Sequence, residues 1–104
     1  MAQYRVYRNK RRPHNPNIPY LLDLQSELFA ELRTRLVAPL FLASYFGPAT
    51  RRLHPVFSIK GVDVVMSTGE IGAIAAARLT QEIADLSAFR AEIVAALDFV
   101  FAGS

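Results

Sequence analysis

A chain of 104 residues with 52% hydrophobic and 20% charged residues has room for one compact domain with a real core, and it is not a disordered tail. It carries no cysteine, which excludes a disulfide framework and a thiolate zinc site and fits the cytoplasm. The net charge is +3, and Arg5, Arg8, Lys10, Arg11 and Arg12 supply five of the twelve cations, a patch suited to phosphates or to the acidic tail of a protein partner.

From the N-terminus, QYRVYR alternates, with Tyr4 and Val6 on one face and Gln3, Arg5 and Tyr7 on the other, the period of a half-buried strand. No apolar stretch follows the basic start, so no signal peptide is expected. Asn9 to Asn17 carries prolines, asparagines and the basic cluster and reads as an exposed loop. Alternation resumes over Ile18 to Gln25. Ser26 to Leu32 is either one helical turn or a bulged loop. A third strand places Leu36, Ala38, Leu40 and Leu42 on one side, with Pro39 expected at an edge or irregularity because it lacks an N–H. Leu36 to Ala43 is the longest apolar run and falls far short of the ~18 residues of a membrane span.

Gly47 and Pro48 break the chain. Val56 to Ile59 and Val62 to Met66 are β-rich runs joined by Lys60-Gly61, the signature of a tight hairpin. Gly69 and Gly72 mark a turn. Residues 73–79 (AIAAARL) favour helix by intrinsic propensity. The last element is a helix, with Ser87 as N-cap and no glycine or proline from Ala88 to Phe101. Phe89, Ile93, Leu97 and Phe101 line one face, yet Ala91, Val94, Ala95, Ala96, Phe99 and Val100 make the helix apolar nearly all round. Such a helix must be covered on more than one side. A sheet of its own domain and a second subunit would do so, which predicts a homodimer through Ile93, Val94, Leu97 and Val100. Several strands followed by one C-terminal helix, in a single unit spanning residues 1–104, point to a mostly β, α+β fold of small-barrel type.

Signals of chemistry are sparse. His14 and His54 have no second ligand at metal-binding spacing, and neither a phosphate loop nor a nucleophile elbow is present. Asp23, Glu27 and Glu31, spaced by four, are explained by a solvated face as easily as by a catalytic pair. No catalytic, cofactor or metal site is assigned. One alternative remains open: metal-independent RNA cleavage by arginine and histidine, from the loop with His14 or from Arg51, Arg52 and His54. A basic RNA-binding barrel is a further reading, but the usual aromatic stacking platform is not visible.

Across nearly its whole length the chain resembles the CcdB family of type II toxins. The resemblance lies in Gln3, Val6 and Tyr7 of QYRVY; Asp23, Gln25 and Ser26 of LLDLQSEL; and Val37, Pro39 and Leu40 of RLVAPL. It continues in Leu53, Pro55, Val56 and Ile59 of LHPVFSIKG, in Glu82, Ala84, Asp85, Leu86 and Ser87 of QEIADLS, and in Ala96, Phe101 and Gly103. The resemblance implies an SH3-like barrel of antiparallel strands with a C-terminal helix, dimeric, in which residues 73–79 form a strand. It implies a non-enzymatic toxin that inhibits DNA gyrase through its A subunit and is neutralised by a CcdA-like antitoxin. DNA would be met only indirectly, in the autoregulating antitoxin complex, and no membrane would be involved.

Gyrase contacts implied by the family pattern fall on Leu28, Phe29, Asp98, Phe101, Ala102, Gly103 and Ser104. The antitoxin would face the basic loop of Arg8, Lys10, Arg11 and Arg12. Two positions depart from the pattern: the chain closes on Ala102-Gly103-Ser104 where the family typically has Trp-Gly-Ile, and Asp98 stands where an Asn is usual. A non-toxic, antitoxin-binding homologue is therefore an alternative within the same family.

Overall fold

The computed structural model describes residues 2–10, 15–29, 31–50 and 52–103. The strands are β1 (Arg5–Arg8), β2 (Tyr20–Asp23), β3 (Thr34–Leu42), β4 (Val56–Ile59), β5 (Val62–Met66), β6 (Gly72–Ala75) and β7 (Glu82–Asp85). The helices are α1 (Ala43–Phe46) and α2 (Arg90–Ala102), with short 3-10 turns at Glu27–Phe29, Thr68–Glu70, Ala76–Arg78 and Ser87–Phe89. All pairings are antiparallel, in the order β4-β5-β3-β2-β1-β7, with β6 on β3 beside β5. The sheet curls into a half-barrel with α2 at its C-terminal end, consistent with the small barrel that the strand pattern implies and with the SH3-like form that the resemblance implies.

The main core lies between one face of the sheet and α2: Val6, Leu22, Leu40, Phe57, Val64 and Met66 meet Ile93 and Ala96. A smaller cluster of Tyr7, Leu21, Val37 and Leu79 occupies the other face, with Ile74 packed on it. The second cluster corrects the half-buried reading of the first two strands. Both Val6 and Tyr7 are buried, and all four residues of β2 are. Alternation over so short a span cannot reveal that Leu79, from a segment far along the chain, covers the second face.

β1 also starts later than its alternation suggests. Tyr4 is left-handed (φ 66°), donating its N–H to the Asp23 carbonyl (2.7 Å) and accepting from the Leu86 N–H (2.8 Å). Asn9, read as loop, is buried, and its side-chain amide donates to the Ile18 carbonyl (2.8 Å).

β3 is the hub of the sheet. One edge pairs with β2, and the other pairs with β6 over Thr34–Val37 and then with β5 over Leu40–Leu42. Pro39 lies where the second edge changes partner. Its carbonyl accepts from the Ser67 N–H (3.1 Å), so its donor-less nitrogen faces the gap between β5 and β6, where no ladder bond is lost. The expected irregularity therefore falls in the partners, and β3 itself runs unbroken. The Lys60-Gly61 hairpin forms as expected, with φ of 52° and 78° at the two turn residues, the left-handed pair of a type I′ turn.

Residues 73–79 divide. Gly72–Ala75 is a strand, as the resemblance implies, and Ala76–Arg78 is a single 3-10 turn. Pairing with β3 outweighs the helix preference of alanine. Ser87 is not the N-cap of α2; it opens a 3-10 turn, and its N–H is accepted by the Asp85 carboxylate (2.8 Å). The helix starts at Arg90 without a side-chain cap and ends at Gly103, whose left-handed backbone (φ 73°) sends its N–H to the Phe99 carbonyl (2.9 Å).

Candidate functional site

α2 is held at its front and free at its end. Phe89 meets the Phe57 ring edge-on (5.5 Å between centroids), Ile93 and Ala96 are fully buried, and Leu97 is half-buried against the core. Past that point the helix emerges. Val100 is 36% exposed, Phe101 is 76% exposed, and Ala102 and Gly103 are open to solvent. The 3.6-residue period explains Ile93 and Leu97, but the stripe runs off the end of the barrel before it reaches Phe101. Among the expected dimer residues, Ile93 needs correction: it is buried within its own subunit and has no surface to offer a second copy. Val94, Leu97 and Val100 retain exposed area.

A second apolar display comes from the 3-10 turn Glu27–Phe29. Leu28 is 89% and Phe29 54% exposed, and Leu32 beside them is also exposed. Ser26 shapes this turn, its hydroxyl accepting from the Leu28 N–H (3.2 Å) and its carbonyl from the Phe29 N–H (3.0 Å). The base of the loop is clamped from inside. Arg35 donates from Nε and Nη2 to the Asp23 carboxylate (3.0 and 2.8 Å to Oδ2), and Nη2 also reaches the Gln25 carbonyl (3.2 Å). Asp23 accepts from the Gln25 N–H (2.9 Å), and the Gln25 side chain accepts from the Leu36 N–H (3.2 Å). Both charged side chains are fully buried. Asp23 is thus a structural anchor, not part of a solvated acidic face, and Arg35 is a residue the sequence reading passed over. The available signal was a single charge inside each of two apolar strand runs, LLDL and RLV.

Besides the sheet face, α2 is contacted by the turns Thr68–Glu70 and Ser87–Phe89. Asp98 is exposed and makes no ion pair among the described residues. It lines an open groove of about 820 Å³ with Glu92, Ala95, Arg52 and His54. Arg52 stacks over the Phe99 ring (4.6 Å), and His54 Nδ1 accepts from the Thr50 N–H (3.1 Å). This is the only expected arginine–histidine pair that falls on described residues, since His14 and Arg51 lie outside them.

In the basic N-terminal segment, Arg5 is neutralised by Glu82 (2.8 Å) and Asp85 (3.2 Å). Arg8 is exposed, and Lys10 donates to the Thr80 hydroxyl (3.1 Å). Arg11, Arg12 and Ser104 lie outside the described residues. No helix among the described residues is long and apolar enough to cross a membrane.

A comparison with protein families finds one match over nearly the whole chain: the family described as CcdB protein matches residues 3–103. The chain belongs to the CcdB family. Among curated proteins none matches it. CcdB proteins are toxins of toxin–antitoxin systems that act on gyrase, and they are not a known enzyme family. The match runs to Gly103 and so takes in the exposed end of α2 and the Leu28 turn alike.

Proposed function

We propose that this CcdB-family protein is the toxin of a type II toxin–antitoxin pair, a cytoplasmic dimer that binds and poisons the DNA gyrase A subunit and is neutralised by a CcdA-like antitoxin. The observation that carries this reading is the apolar end of α2. Phe101 is 76% exposed on a helix whose front half is locked into the barrel, an expensive exposure unless a partner covers it. Leu28 and Phe29 offer a second anchor of the same kind. Val94, Leu97 and Val100, beside that tip, form the face through which two copies pair. Arg8, Lys10, Arg11 and Arg12 supply cations for the antitoxin's acidic segment, and DNA is met only through that complex.

The test is induced expression with and without the neighbouring antitoxin gene, followed by a supercoiling assay with purified gyrase. Growth arrest relieved by the antitoxin, with supercoiling inhibited at micromolar protein, is the expected result. Normal supercoiling at that concentration overturns the target. Phe101→Ala should weaken gyrase inhibition about 30-fold, the ~2 kcal/mol of one interface hot spot.

A second reading, a CcdB-family protein that binds antitoxin without harming the cell, is favoured by the tip itself. Ala102 and Ser104 stand where the family typically places Trp and Ile, and a buried indole is worth roughly 2–4 kcal/mol at an interface. On this reading the double change Ala102→Trp with Ser104→Ile creates toxicity in a harmless protein. Unchanged growth in that variant counts against it.

A further inference from the structure

β6 is an edge strand left open. Ala76 donates its N–H to the Arg33 carbonyl (2.7 Å), and Ile74 and Gly72 stand opposite Arg35 and Val37. Because N–H and C=O groups alternate sides along a strand, those of Ala73 and Ala75 face away from β3, and both residues are exposed. The other two edges are guarded. β7 carries Glu82 and Asp85, both held by Arg5, and β4 is bounded by Pro55 and Lys60. β6 has only glycine, alanine and one isoleucine, and no charge, proline or bulge protects it.

The same edge borders a groove of about 450 Å³. Leu21, Val37 and Pro39 line it, and Lys10 and Arg78 bring two cations to it. Glu70, its one carboxylate among the described lining residues, is engaged by the Ser67 hydroxyl. Gly72 lies opposite Val37, and a Cβ there would meet nothing within 4 Å, so the groove is open where a side chain would otherwise stand.

We propose that the β6 edge takes an extended acidic peptide as an added strand, its backbone pairing with Ala73 and Ala75 and its carboxylates meeting Lys10 and Arg78. A second copy of this chain is a poorer occupant, because pairing β6 with β6 would line up Lys10 and Arg78 of both copies along one seam. Only the identification of the peptide as an antitoxin segment rests on the function proposed above. The binding itself does not.

The test uses the full chain and synthetic peptides of about ten residues, alternating Glu with Val or Lys with Val, read by fluorescence anisotropy and amide chemical shifts. The Glu peptide should bind, shift the amides of residues 72–76, and lose affinity with added salt; the Lys peptide should not bind. Ala75 has φ −62°, which proline adopts without strain, so Ala75→Pro deletes the outward N–H and keeps the β3 ladder. It should weaken the Glu peptide about tenfold. Arg78→Glu, an exposed change that leaves the strand intact, should shift preference toward the Lys peptide. Equal affinity in wild type and both variants overturns the proposal, as does no binding of the Glu peptide, or self-association that Ala75→Pro abolishes. Gyrase and antitoxin are absent from these measurements, so a failed supercoiling assay leaves their outcome untouched.

Discussion

Replacing Asp23 by Asn leaves the Arg35 guanidinium fully buried beside a neutral partner. Breaking one side of a buried pair costs about 3–5 kcal/mol, mostly for the stranded charge, whereas replacing both partners by apolar residues of similar volume is often neutral. Urea denaturation should show that loss in Asp23→Asn and a much smaller one in the double variant Asp23→Leu with Arg35→Met. The single variant should also release the loop that presents Leu28 and Phe29, since the Gln25 contacts radiate from the same carboxylate. By contrast, Leu28→Ala should leave the urea midpoint almost unchanged, because the side chain is 89% exposed.

Two titrating side chains set opposite pH limits. The Asp85 carboxyl is held below its usual 3.8, first by the Ser87 N–H and hydroxyl and then by Arg5. The unfolded chain therefore binds that proton more tightly. The contribution is complete above the ordinary value and fades as pH falls through the lower folded one. The Tyr7 phenol is pushed above 10.0, first by burial and then by the charges of Glu82 and Asp23. Its folded state keeps the proton longer, so this contribution is complete below 10.0 and fades as pH rises through the higher folded value. Stability profiles of Asp85→Asn and Tyr7→Phe should flatten only the acid and only the alkaline limb, respectively.

At the scale of elements, α2 bears the face through which the proposed dimer would form. Val94→Lys with Val100→Glu should convert a dimer into a monomer in sedimentation, with little change in subunit stability, since neither side chain belongs to the core. The helix was legible because its apolar character persists for more than three turns. Its start was not, because Ser87 is an eligible cap by type yet spends its N–H on Asp85 in a preceding 3-10 turn. The hairpin was legible from Lys60-Gly61, whose turn type demands left-handed residues. The strand at Gly72–Ala75 was not legible from propensity, since its stability comes from β3, far away in sequence.

Across the whole molecule, the fold class followed from strand spacing and the terminal helix, whereas the two-sided burial of β1 and β2 did not. That burial depends on Leu79 and Ile74 returning to cover the second face. The candidate tip residues were legible only through resemblance. The exposure of Phe101 depends on where the barrel stops, and nothing in the period of the helix encodes that. Hydrogen exchange should follow the same geometry: slowest in β2 and β3, and fast at Val56 and Ser58, whose outward amides face solvent on the β4 edge.

Fixing a helix by its first two turns separates what folding requires from what recognition requires. Ile93 and Ala96 are committed to the interior, but Val100, Phe101 and Ala102 are exposed and can be exchanged at little thermodynamic expense. A lineage can therefore rewrite its terminal residues, lose one target and gain another, while the barrel beneath stays the same.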